Sequence, residues 1–136
     1  MGPFDDDTAL DFVDALRDLP LSTIQSVLER ALRTVASEDG YVEYASAVEA
    51  VACAALLAGQ CDDDLVRAWL STVPLDVTRE LAELALRAID RVHSTGSHLW
   101  ELRADAGLVR ESRAAVSVTI GVLRRLSGFA REEMLF

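Results

Sequence analysis

The residues that decide the fold are 44–58, which read Y-A-S-A-V-E-A-V-A-C-A-A-L-L-A. From residue 48 to residue 58 every side chain is apolar except that of Glu49. A helix that is apolar on all sides is buried inside a protein or a membrane. A membrane span needs about 20 consecutive apolar residues, and this run is much shorter. We therefore predict a helix at the centre of a domain and not a membrane span.

On both sides of this segment, apolar residues recur every three or four positions, which is the pattern of helices with one buried face. Ser22 and Gln25 form an S-x-x-Q capping box at the start of the second helix, and Gly128 is placed to end the last one. The first predicted helix begins in the aspartates at 5–7 and runs to about 18. The other predicted helices cover about 22–37, about 44–58, a short segment after 62–64, a segment from 76 or 78 to about 92, a short segment at 98–103, and about 108–126.

These segments predict an all-α fold: a single compact irregular bundle of about six helices, with residues 1–136 as one domain. Residues 129–136 end in the apolar letters M-L-F. We expect this tail to dock on the domain or on a second copy, or to be disordered. Cys53 is expected to be a core residue and Cys61 to be exposed, and together they make neither a disulfide framework nor a metal signature.

Charge is unevenly distributed along the chain, whose formal net charge is −10. Residues 1–64 hold 14 acidic and 3 basic side chains, whereas residues 65–136 hold 9 acidic and 10 basic ones. An acidic face disfavours nucleic acid and anionic membranes and favours a basic partner. All 13 basic residues are arginine, a bias typical of a GC-rich bacterial genome. No signal peptide is visible, so we expect a cytoplasmic protein.

Four aspartates form a stripe on the first predicted helix, at Asp7, Asp11, Asp14 and Asp18. Their spacing of four, three and four residues places them within a narrow sector of one helical face, opposite the apolar residues. Three interpretations remain open for this stripe. It is a solvated face, a docking strip for an Arg- or Lys-rich partner, or part of a divalent-cation site.

The cation interpretation rests on two clusters that the fold would have to bring together. A run of three aspartates at 62–64 lies between two apolar segments, where helix capping is the simpler role. Neither cluster has the D-x-[DN]-x-[DN]-G loop that wraps calcium. The candidate metal ligands are Asp5, Asp6, Asp7, Asp62, Asp63 and Asp64.

No catalytic constellation is recognisable in the sequence. His93 and His98 flank a turn and lie five residues apart, which is not the i, i+4 spacing of a zinc helix. The sequence has no G-x-S-x-G motif and no phosphate-binding glycine loop. We therefore predict that the protein is not an enzyme and uses no cofactor.

Several segments resemble a bacterial family of domains of unknown function. The opening G-P-F-D-D-D-T-A-L-D-F is similar to the W-G-x-G-x-F-x-N-D-x-A-x-D-[FW] start of its members, although Asp6 replaces their usual asparagine and the W-G-x that precedes Gly2 is missing. The resemblance continues at D-G-Y-V-E-Y (39–44), E-A-V-A-C-A-A-L-L-A (49–58), A-L-R-A-I-D-R-V (85–92) and H-L-W-E-L (98–102). It implies a small bacterial helical protein and brings no established activity.

From these observations we predict a non-catalytic protein-interaction module, monomeric or homodimeric, that binds a basic protein through the stripe. Small acidic proteins of this kind include immunity proteins and antitoxins, although fold and charge alone do not imply function. The alternative is a divalent-cation-binding protein or a metal-dependent enzyme that uses the aspartate clusters.

Overall fold

The elements of the chain are α-helices joined by loops. The computed structural model describes residues 7–60, 63–94, 96–107 and 109–134; for 109–113, 115 and 129–134 it describes the backbone alone. The all-α prediction is confirmed, since seven helices and no strand form in this described part. The helices are α1 (Asp7–Arg17), α2 (Leu21–Ala36), α3 (Tyr44–Leu57), α4 (Asp64–Leu70), α5 (Arg79–Val92), α6 (His98–Asp105) and α7 (Val109–Met134).

Helix α3 lies at the centre of the bundle, as its sequence predicts. It contacts α1, α2, α5, α6 and α7. Every residue from Ala50 to Leu57 is buried. Alanine supplies much of this surface and lets neighbouring helices approach closely on several sides. The helix therefore has no solvated face of its own over this length.

Helices α2 and α5 each bury one face. In α2 the buried residues follow a three-and-four spacing at Ile24, Leu28, Leu32 and Val35. Helix α5 buries a wider face of seven residues and packs against α2, α3 and α7. The buried residues of α2 and α5 belong to the same hydrophobic core as those of α3. None of the described helices is both long enough and apolar enough to cross a membrane.

The start of α2 differs from the prediction. Pro20 takes the N-cap position, and no side chain caps the helix. Gln25 instead bonds the backbone of Asp76, donating from Nε2 to the carbonyl oxygen at 2.9 Å and accepting the amide at 2.7 Å. The predicted Ser22–Gln25 capping box is therefore wrong, because the glutamine is engaged with the loop before α5.

The end of α7 also differs from the prediction. Gly128 lies inside α7, which continues to Met134. A glycine ends a helix when it adopts a positive φ, and the described glycines that do so are Gly59, Gly96 and Gly107. At a helical φ, glycine costs only about 1 kcal/mol relative to alanine. Residues 135 and 136, the rest of the predicted apolar tail, lie outside the described residues.

Two loops far apart in sequence are joined beside α3. Val42 donates its amide to the Gly96 carbonyl at 2.8 Å and accepts the His98 amide at 2.9 Å, which makes a short parallel bridge. The Arg91 guanidinium donates to the carbonyl oxygens of Glu38, at 3.1 Å, and of Gly40. This junction brings together three segments that carry the family resemblance, namely 39–44, 85–92 and 98–102.

Candidate functional site

The aspartate stripe lies on the outer face of α1. Asp7, Asp11 and Asp14 are exposed on the helix, and Asp18 is exposed in the turn that follows it. The opposite face buries Ala9, Val13 and Leu16 in the core, where α1 contacts α3. The apolar face thus fixes the helix and the carboxylates point to solvent, as the spacing predicts.

The stripe keeps most of its charge unmatched within the described residues. Arg17 lies 3.7 Å from the Asp14 carboxylate, and 70% of the Asp14 side chain is exposed. An exposed pair of this kind contributes about 0 to 1 kcal/mol and screens little of the surrounding field. The other three aspartates have no ion pair within the described part of the chain.

The second aspartate cluster caps a helix. Asp63 is the N-cap of α4, and its Oδ1 accepts the Val66 amide at 3.0 Å. Asp64 pairs with Arg67 at 3.0 Å and is almost fully exposed. Of the other candidate metal ligands, Asp7 is exposed on α1, whereas Asp5, Asp6 and Asp62 lie outside the described residues.

No three His, Cys, Asp or Glu residues come together in a way that suits a metal ion, within the residues that the structure describes. This finding does not reach Asp5, Asp6 and Asp62, so the cation site remains a prediction without a structural observation in its favour.

The two histidines have structural contacts. His93 ends α5, and its Nδ1 is 2.8 Å from the Ile89 carbonyl oxygen. Its ring meets Trp100 edge-on, with centroids 6.4 Å apart. His98 packs near Tyr41 and Tyr44, with ring centroids 6.0 Å and 5.9 Å away.

A polar pair that the sequence analysis missed lies beside His98. The Tyr41 hydroxyl donates to Glu101 Oε2 at 2.8 Å, across 60 residues of sequence. Packing of the phenol against the protein, the hydrogen bond to Glu101 and the charges of Glu101 and Glu43 raise the pKa of Tyr41 to about 12. The pair holds α6 to the loop before α3, and a raised tyrosine pKa makes it a poor base at neutral pH.

The one acidic residue of α3 is Glu49, which is half-buried. Burial raises the pKa of its carboxyl group. One turn later, Cys53 is fully buried, and burial followed by the charge of Glu49 raises the pKa of its thiol well above the ordinary value. A thiol in that state is an inert core group and not a nucleophile. The core role predicted for Cys53 is confirmed, and Cys61 lies outside the described residues.

A groove between α5 and α7 is a second feature that the sequence analysis missed. It encloses about 640 Å³ and has an apolar floor with charged side chains at its rim. Its only direct sequence signal is Gly121, a glycine inside a long helix. Its lining is Leu86, Arg87, Ile89, Asp90 and His93 from the α5 side, and Val116, Ser117, Ile120, Gly121 and Arg124 from α7.

Comparison with known proteins identifies the family and little more. Residues 1–114 match the family described as Domain of unknown function (DUF4259). No curated protein and no solved structure matches the chain significantly. The predicted resemblance to a family of unknown function is thereby supported over most of the chain, while the specific opening motif remains an interpretation.

Proposed function

Because the chain belongs to the DUF4259 family, a membership that assigns no activity, we propose its function from its surface: a non-catalytic module that binds a basic protein through α1. The observation that carries this proposal is the stripe of Asp7, Asp11, Asp14 and Asp18. All four carboxylates are exposed, and the helix that bears them is fixed by its apolar face.

The stripe favours association through its electric field. Aligned like charges repel by a few tenths of a kcal/mol per pair, so the arrangement weakens α1 slightly when nothing is bound. A basic surface would relieve this repulsion and would be attracted over about 8 Å at physiological salt. Such complementarity raises association rates by 10-fold or more and aligns the partners.

The experiment compares two variants of equal net charge. The test variant carries Asp→Asn at the four stripe positions. The control variant neutralises four exposed acids on other elements, Asp39, Asp76, Glu80 and Asp105, as amides. Each variant and the wild type serve as bait in a native-host lysate, and the association rate of the recovered partner is then measured against salt.

We expect the stripe variant to lose the partner or to associate about tenfold more slowly, with a weaker salt dependence. The control variant should behave like the wild type, because it keeps the local field around α1. Equal losses in the two variants would show that only the net charge matters. Identical partners and rates for all three baits would contradict a docking role and leave α1 as a solvated face.

A further inference from the structure

We propose that the groove between α5 and α7 is a binding site for an amphipathic carboxylate, a small molecule with an apolar body and one carboxylate group. The groove encloses about 640 Å³. Ligand pockets in proteins range from about 300 to 1,000 Å³ and combine an apolar lining with a few polar groups. The site is separate from the α1 stripe, so it does not depend on the function proposed above.

The floor of the groove supplies the apolar part of the site. Ile89 and Val116 are buried, with 3% and 6% of their surface exposed, and they face the groove from opposite helices. Leu86 and Ile120 are half-buried and extend the same floor. A ligand that covered this floor would gain about 25 cal/mol for each Å² of apolar surface removed from water.

The rim of the groove carries a local positive charge, although the protein as a whole is negative. Arg87 and Arg124 line it from α5 and α7, and both are exposed. Neither has an ion pair with any described residue. Asp90 is the one acid among the described lining residues. In a chain of net charge −10, two arginines at one groove favour an anion, and a guanidinium binds a carboxylate through two parallel hydrogen bonds.

Gly121 contributes to the width of the groove. It lies inside α7 at a helical φ, where glycine is less stable than alanine by about 1 kcal/mol. Apart from its chain neighbours and its own helix backbone, a Cβ at this position would have no atom of the described residues within 4 Å. The packing of the chain itself therefore does not require glycine there. The missing side chain instead widens the groove, together with the small Ser117 one turn earlier.

A small ligand suits this site better than a protein chain. A stable protein interface buries about 800 Å² on each partner and has an apolar core of matching extent. The apolar floor here is four residues wide and is bordered by Arg87, Asp90 and Arg124. A compact ligand with one anionic end can cover the apolar floor with its body and bind the arginines with its charged group.

The experiment measures the binding of decanoate by calorimetry and by amide chemical shifts. Decanol, with the same body and no charge, and decyltrimethylammonium, with the opposite charge, are the comparison ligands. Two variants remove the proposed determinants: Gly121→Leu fills the groove, and Arg87→Gln with Arg124→Gln removes its positive charge. Their matched controls are Gly128→Leu, at another open glycine of α7, and the double variant Arg30→Gln with Arg125→Gln, at two exposed arginines; none of these three residues is among those that line the groove.

We expect decanoate to bind at micromolar to low-millimolar concentration and to shift amides of α5 and α7. The double arginine variant should weaken binding about tenfold or more, and Gly121→Leu should abolish it. The two control variants should bind like the wild type. Circular dichroism should show that both leucine variants remain folded, because leucine is a better helix former than glycine.

Three results would overturn the proposal. The first is the absence of decanoate binding at low-millimolar concentration. The second is equal binding of decanol with no effect of the arginine changes, which would mean an apolar groove without anion preference. The third is a concentration-dependent dimer that Gly121→Leu disrupts, which would make the groove an interface between two copies of the chain.

Discussion

Replacing Ser97 by alanine should stabilise the protein, although serine at the start of a helix normally stabilises it. Ser97 is the N-cap residue of α6, but its side chain caps no amide. The residue is 0% exposed, and its hydroxyl has no hydrogen-bond partner within the described residues. Val42 makes backbone hydrogen bonds to Gly96 and His98, the residues on either side of Ser97. These bonds hold the backbone and keep the hydroxyl in this position.

The magnitude follows from two opposing effects. A serine that caps a helix contributes about 1 kcal/mol, which alanine would lose. A buried hydroxyl without a partner costs about 1 to 3 kcal/mol, which alanine would recover. Since the cap bond is missing, only the second effect applies, and we expect a gain of about 1 kcal/mol. For 136 residues, the unfolding entropy is about 0.29 kcal/mol/K, so Tm should rise by about 3 °C.

Thr78→Ala is the matched control for this prediction. Thr78 caps α5, and its Oγ1 accepts the Leu81 amide at 3.1 Å. Its loss should lower the free energy of unfolding by about 1 kcal/mol and Tm by about 3 °C. Both variants are measured by urea denaturation and by thermal melting. If Ser97→Ala destabilises as much as Thr78→Ala does, the Ser97 hydroxyl has a partner and the reasoning is refuted.

Two further predictions concern titratable groups. In a Cys61→Ser background, Cys53 should react with a thiol reagent at least about a thousandfold more slowly than in the unfolded chain, because it is fully buried and its exposure requires global unfolding. Fast labelling would contradict its core position. In a Tyr44→Phe background, the absorbance of Tyr41 should titrate near 12 and not at 10.0, and Glu101→Gln should lower that pKa. Since the folded state favours the neutral phenol, the contribution of Tyr41 to stability is present at neutral pH and is lost as the pH rises from about 10 to 12.

The sequence predicts well those features that depend on local patterns. The apolar run at 44–58 places α3 at the centre of the bundle, and the spacing of the α1 aspartates predicts their exposure. The cap of α4 is Asp63, within the predicted run 62–64, and the cap of α5 is Thr78, one of the two predicted starting residues. Helix periodicity, and a cap bond within a single turn when no distant residue engages the capping side chain, can be predicted from neighbouring residues alone.

Features that depend on residues far apart in the sequence could not be predicted from local patterns. Gln25 bonds Asp76, 51 residues away, so its role at the start of α2 is decided by a loop that local pattern does not reveal. The groove forms where α5 packs against α7, and each of its lining residues taken alone looks ordinary. The prediction that Gly128 ends the last helix is wrong because Gly128 lacks the positive φ of a C-terminal cap, and its neighbours in sequence do not determine that φ.

The burial of α3 on every side has a consequence for folding. One neighbouring element can cover a helix that has a single apolar face. The apolar surface of α3 is covered only when all five of its neighbours, α1, α2, α5, α6 and α7, are in place. Any partly assembled bundle leaves apolar α3 surface in water, at a cost of about 25 cal/mol per Å². Such an intermediate has already lost the conformational entropy of its ordered helices but lacks the burial that offsets this loss. The bundle should therefore form and melt as one cooperative unit.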